Sequence, residues 1–272
     1  MAVLQELGGR LSNADLHSYL FLYCREYVEN NHYYEFIPQE FGAFSLQADA
    51  DKALLINKKL IAKADDWQAL PTKERFAVGL DFFEKIAIQK LKNDWVGKTG
   101  AELQVHLTAH HPQYFLDNLA AEKNDEIIFY TIGYEGISPD IYVSKLLTNN
   151  IKLLCDVRKN AFSQKAGFSK AELQASLAKV GIEYRHIPDL GIVSEKRQSL
   201  NSYQDYKELF DEYERETLSK QGANLLRLQQ LLEQKQRIAI TCFEADYHCC
   251  HRSRVAKALA ANPNFNYKIE HL

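Results

Sequence analysis

Between Arg237 and Leu259 the chain reads RIAITCFEADYHCCHRSRVAKAL, and this short stretch gathers Cys242, Glu244, Cys249, Cys250, His251, Arg252 and Arg254. A thiol beside an imidazole and a guanidinium, at the start of a helix, is a setting that lowers a cysteine pKa and makes a nucleophile. That assigns Cys250 and His251 to catalysis, with Glu244 as an acid or base. Arg252 at a helix N-terminus suits a phosphate or carboxylate, because the backbone N–H groups and the helix dipole add to its charge. Arg254 lies on the same segment, and Lys257 reads as a solvated face. A cysteine phosphatase needs Cys-x5-Arg, and the residues six before Arg252 and Arg254 are Asp246 and His248, so that chemistry is disfavoured. Zinc suits a set drawn from Cys242, His248, Cys249, Cys250 and His251. Adjacent ligands such as Cys249 and Cys250 are awkward around one tetrahedral ion, however, and no CxxC knuckle is present. No metal ligand is therefore assigned and no cofactor is expected, zinc being the one metal the residue types would suit.

These residues need an element to hold them. Ile238–Cys242 is a short β-type run, and the helical pattern resumes near Ser253. The same alternation runs through the chain from Glu126 onward. Strands are expected at 127–133, 151–158 and 182–187. A helix opening at Ser138-Pro139 follows the first. A second, with the Ser169/Glu172 capping box, ends at Gly181. Two more helices carry Tyr203, Tyr206, Phe210 and Tyr213, then Leu225, Leu228, Leu231 and Leu232. Strands separated by helices imply a parallel sheet with right-handed crossovers, a Rossmann-like α/β fold. In such a sheet ligands bind outside the carboxyl ends of the strands. Those ends supply Thr131, Gly133, Tyr134 and Glu135, then Cys155, Asp156 and Arg158, then His186 and Asp189, and lastly Cys242 and Glu244. Asp156 can act as a base or hold Arg158 in place, the plainer alternative being a structural Asp–Arg pair. Gly133 allows a close backbone approach, and Tyr134 could stack on a base.

The first half of the chain is different. Asn13 or Ser12 caps a helix to about Val28, Ser45 caps a second, and a third is expected from Pro71-Thr72 with Phe76, Leu80, Phe83 and Ile86 on one face. The YxFxPxxxGxxS turn between the first two, from Tyr34 to Ser45, loosely resembles the start of small winged-helix-like modules. The plain reading is a mainly α-helical accessory or dimerisation domain, through which the chain could oligomerise. His106 and His110 share a helical spacing, but no acid or cysteine stands near them in sequence, so they are not read as a metal pair. The polar stretch Ala120–Asp125 sets the expected boundary between a helical domain, 1–122, and the α/β domain, 123–272.

Composition is permissive. A hydrophobic content of 46% and a charged content of 25% describe a chain with a proper core. The net charge of −3 excludes a strongly basic nucleic-acid binder but not a local basic patch. No apolar run approaches the ~20 residues of a membrane span, and no signal peptide is evident. Five cysteines, an odd number, point to a reducing cytoplasm rather than a disulfide scaffold.

Four separated stretches, TIGYEG, DVRKNAFSQKAGFSK, GIEYRHIPDLGI and CFEADYHCCHRSRVA, resemble in order the marks of the bacterial and archaeal family called domain of unknown function 488. The resemblance covers about residues 126–271. It departs at Ala161, where many members carry proline, and at Tyr134-Glu135, where many carry histidine and serine. It implies a Rossmann-type fold and a part in nucleic-acid processing, repair or defence, with Asp156, Arg158, Ser163, Cys242, Glu244, Cys250, His251 and Arg252 at the matched positions. The expected function is thus a nucleic-acid- or nucleotide-directed enzyme, a hydrolase among the options. Phosphate or ligand contacts fall to Gly133, Tyr134, Arg158, Ser163, His186, Cys242, Arg252 and Arg254, and catalysis to Asp156, Glu244, Cys250 and His251. The alternatives are a nucleotide- or nucleic-acid-binding regulator without chemistry, or a thiol or zinc sensor.

Overall fold

Six consecutive residues, Ile128–Gly133, are buried, and a strand hidden on both faces belongs inside a parallel sheet. In the computed structural model this is strand β1 of a five-stranded sheet. Its other members are β2 (Leu153–Asp156), β3 (Glu183–His186), β4 (Arg237–Cys242) and β5 (Lys268–His271). The order is β3-β2-β4-β1-β5, and every pairing is parallel. The structure describes residues 1–28, 33–96, 98, 100–120, 126–193, 196 and 203–272. It divides into two compact units, Met1–Glu122 and Lys123–Leu272. Most of the expected linker, Ala120–Asp125, lies outside the described residues.

Register decides what meets at the edge of the sheet. Gly133 stands opposite Cys242, and Asp156 opposite both Thr241 and His186. The carboxyl ends of β1, β2, β3 and β4 are therefore level, and the loops leaving them open onto one edge. The sequence pattern does not announce β5, because Lys268–His271 is half-exposed and has no apolar run; it is an edge strand held only by β1.

Helices cover both faces of the sheet. Helix α1 (Pro139–Thr148) starts where Ser138 accepts from Ile141 N at 3.2 Å and Pro139 occupies the first turn. Helix α2 (Lys170–Ala178) starts where Ser169 N donates to Glu172 Oε2 at 3.2 Å. The Tyr142 hydroxyl of α1 donates to Thr241 Oγ1 at 2.8 Å, so α1 lies on the face shared by Asp156 and Thr241. On the other face Phe129, Leu153, Cys155, Ile238 and Ile240 form one core with three helices. These are α3 (Tyr203–Glu216), through Phe210 and Tyr213, α4 (Gly222–Lys235), through Leu228 and Leu232, and α5 (Arg252–Ala260), through Val255 and Leu259.

The N-terminal unit is mainly helical. After a short helix, Ala2–Glu6, the first expected helix spans Asn13–Leu22, is capped by Ser12, which accepts from Asp15 N at 3.0 Å, and continues as a π-turn over Tyr23–Tyr27. Ser45 caps the helix Leu46–Asn57. Between them the Tyr34–Ser45 stretch contains a hairpin of Ile37–Gln39 and Gly42–Phe44. The third helix differs from expectation. It spans Phe82–Trp95 and is opened by a capping box of Asp81 and Glu84 rather than by Pro71-Thr72. Its buried face is Ala87, Ile88, Leu91 and Trp95, while Phe83 and Ile86 are exposed. The spacing that linked Phe76, Leu80, Phe83 and Ile86 crossed a short 3-10 turn, Phe76–Gly79, and so lost the phase of the real helix. His106 and His111 both meet Glu26, at 2.9 and 2.7 Å; that acid stands 80 and more residues away in sequence, so spacing alone could not find it. Among the described residues no helix is long and apolar enough to cross a membrane.

Candidate active site

The level strand ends create two clusters, one on each face of the sheet. On the α1 face Asp156 is fully buried. Its Oδ1 accepts from Arg158 Nε at 2.9 Å and from Arg158 N at 3.0 Å, and its Oδ2 from Arg158 Nη2 at 2.5 Å and the Tyr184 hydroxyl at 2.7 Å. Arg158 Nη1 then donates to the Tyr134 hydroxyl at 2.7 Å and to Phe168 O at 2.9 Å. Burial works against the Arg158 cation, but the hydrogen bonds and charge of Asp156 outweigh it and hold the guanidinium pKa up. Burial first, and Asp156 next, raise the Tyr184 phenol. Tyr134 stacks on Phe168 with ring centroids 4.4 Å apart. His186 donates through Nε2 to Arg158 O at 2.9 Å, so it braces the loop backbone. The buried carboxylate of Asp156 thus holds Arg158 in place, with both of its oxygens accepting hydrogen bonds.

The other face holds the thiols. Cys242 Sγ lies 3.4 Å from His251 Nδ1 and 3.3 Å from Glu244 Oε2. His251 Nε2 faces Val157 O at 3.1 Å, and a carbonyl only accepts, so Nε2 carries a proton and Nδ1 points at the sulfur. Cys250 joins this group: the ligand atoms of Cys242, Cys250 and His251 lie within 4.8 Å of one another, and all three residues are buried. Burial above all, then the neighbouring Cys242, pushes the Cys250 thiol well up. The lowered thiol pKa expected at Cys250 is not what its surroundings produce, since burial and the second thiol act in the opposite direction. Cys249 and His248 point elsewhere, Cys249 Sγ toward Asp246 Oδ2 at 3.7 Å and the His248 ring against Tyr247.

Two arginines also depart from expectation. The Arg252 side chain is buried and donates to Glu244 O and, at 2.8 Å, to Ala245 O. It clamps the loop after β4 instead of facing a phosphate, because the loop folds back over the start of α5. Arg254 lies over the Phe210 ring at 5.3 Å and pairs with Glu214 at 3.4 Å, away from the strand ends.

Between the two clusters opens a cleft of about 570 Å³, bordered by Arg158, Lys159, Phe162, Lys165, Cys242 and Phe243, with Tyr134 and Ser163 also in its wall. Its other lining residues, Gly136, Asn160, Gln164 and Ile192, add no charge. The described lining residues thus carry three cations and no carboxylate. Phe162 and Phe243 are 69% and 41% exposed, a degree that leaves aromatic faces open at the rim. Lys165 donates to Tyr134 O at 2.9 Å, and Ser163 Oγ accepts from Lys165 N at 3.1 Å, so the loop after β2 is tied across to the loop after β1. A Cβ on Gly133 would meet Glu244 O at 1.9 Å, and this close backbone crossing requires glycine there. Lys159, Phe162, Lys165 and Phe243 were not singled out in the sequence. Their signal was present as basic and aromatic residues directly after two strand ends.

Fold and site together define a parallel α/β domain of Rossmann type with a cationic cleft at the strand carboxyl ends. Residues 139–259, which lie within the C-terminal unit, match the family described as domain of unknown function DUF488. No curated protein and no solved structure matches the chain.

Proposed function

We propose that the C-terminal unit is an enzyme acting on a nucleic acid or nucleotide, bound at the strand-end cleft. The observation that carries this reading is the lining of the cleft: Arg158, Lys159 and Lys165 with no carboxylate among the lining residues, and Phe162 and Phe243 exposed beside them. Arg158 is paired with the buried Asp156 behind the wall, and Lys159 meets the exposed Asp189 at 3.5 Å, a surface pair that solvent weakens. Cations in a concave wall attract phosphate, and open aromatic faces stack on bases regardless of sequence. In this reading Lys159 and Lys165 hold phosphate, and Arg158 does so from a fixed position behind them. Glu244, Cys242 and His251 are the groups near the floor that can move a proton.

Binding of labelled single- and double-stranded DNA, measured over a series of salt concentrations, tests it. Wild type is expected to bind with affinity falling steeply as salt rises. Lys159→Ala with Lys165→Ala should weaken binding and make the log–log salt slope shallower by about two, roughly one for each phosphate-binding lysine removed. If wild type binds neither DNA nor mononucleotides, the reading fails. If it binds and no product forms under any pH or metal condition, the cleft belongs to a regulator and not to an enzyme.

A further inference from the structure

We infer that Cys242, Cys250 and His251 form a zinc-binding site at the floor of the cleft. Zinc takes thiolate at about 2.3 Å and imidazole at about 2.0–2.1 Å in tetrahedral geometry, which puts neighbouring ligand atoms roughly 3.5–3.8 Å apart. The three ligand atoms here lie within 4.8 Å of one another. Cys242 Sγ and His251 Nδ1, at 3.4 Å, already have such a separation. Closing the cluster on an ion asks for shifts of about an ångström in the ligand atoms.

Three further features point the same way. The Nε2–H of His251 is held by Val157 O, the kind of outer hydrogen bond that fixes the tautomer of a metal-bound histidine and aims its other nitrogen inward. Two soft sulfurs and an imidazole are a donor set that zinc prefers over the hard cations. Glu244 Oε2, 3.3 Å from Cys242 Sγ, brings a carboxylate to the same place. The structure also removes the obstacle of adjacent cysteines. Cys250 turns inward while Cys249 turns out toward Asp246, so only one of the pair addresses the cluster. Cys242 ends a strand and lines the cleft, and Cys250 and His251 directly precede the helix that starts at Arg252. The inference stands on this cluster alone and does not depend on what the cleft binds.

The full-length chain, purified without chelator from zinc-supplemented cells, is the sample to analyse by elemental mass spectrometry. About one zinc per chain is expected. After the metal is stripped, titration with cobalt(II) should produce the visible bands of a tetrahedral ion and a near-ultraviolet thiolate-to-cobalt charge-transfer band. Cys249→Ser should keep both signals, and Cys250→Ser should lose most of the charge-transfer intensity. Should Cys250→Ser fail to fold, the cobalt spectrum of wild type decides by itself. A wild-type chain that holds under about a tenth of an equivalent of zinc and shows no charge-transfer band with cobalt overturns the inference, as does an equal loss in Cys249→Ser.

Discussion

At the scale of single residues, the buried pair of Asp156 and Arg158 stands at the centre of one cluster. Both are out of solvent, and the carboxylate meets Arg158 through Nε, Nη2 and the backbone N–H. Removing one partner of such a pair strands the other charge in a low dielectric, which costs about 3–5 kcal/mol. Asp156→Ala is therefore expected to lose stability of that order in urea unfolding, and a variant as stable as wild type would show that the pair is not closed to water. Tyr184→Phe removes a single hydrogen bond to the same carboxylate and should cost only about 1 kcal/mol. A loss of activity in Asp156→Ala would report a displaced Arg158 together with a weakened fold. The cleaner probes of the cleft are Lys159 and Lys165, which are exposed or half-buried and hold no core together.

At the scale of elements, what matters is where each begins. The helix Phe82–Trp95 starts at Asp81 because that side chain accepts from Glu84 N at 2.8 Å while Glu84 returns a bond to Asp81 N. Asp81→Ala should cost about 1 kcal/mol in thermal or urea unfolding, the usual loss for a helix cap. Thr72→Ala, at the start expected from sequence, should stay within about 0.5 kcal/mol of wild type. The reverse ranking would mean that the helix begins earlier. The same logic explains the site: β4 ends at Cys242, the loop turns under the Arg252 clamp, and α5 begins just past His251. Strand end and helix start thus deliver Cys242, Cys250 and His251 to one point.

At the scale of the molecule, each unit has a core of its own. The C-terminal core joins the sheet to α3, α4 and α5, and the N-terminal core gathers Phe21, Leu22, Leu91 and Leu103. Burying each large apolar side chain contributes about 1.5–3 kcal/mol, enough in sum for a domain of either size to fold alone. Residues 123–272 expressed by themselves should give a cooperative urea transition and the circular dichroism of an α/β protein. A fragment without a folded baseline would show that its stability depends on the first unit. Charge also reads differently at this scale. The whole chain carries −3, yet the charged residues that line the cleft are Arg158, Lys159 and Lys165, so a global value says little about the partner.

Much of this was already present in the amino-acid order. The strand and helix alternation after Glu126 follows from short continuous apolar runs and from helical spacing of period 3.6, broken by Gly133, Ser138-Pro139, Ser169 and Gly181, and these are local signals. Local spacing also marks Asp156, Arg158 and Cys242 as residues at strand ends, and His251 as one at the start of the helix that follows. Contacts between distant segments were not legible. Only the tertiary structure turns Arg252 inward onto Glu244 O and Ala245 O, pairs Tyr184 with Asp156, sets Lys165 on Tyr134 O and brings Glu26 to His106 and His111. Only the sheet order, with β4 between β1 and β2, places Cys242 beside the loop that carries Arg158. The physical reason is one of range. Propensity and periodicity act over a few residues, whereas the direction of a side chain at a strand end is settled by whichever segments the core packs around it.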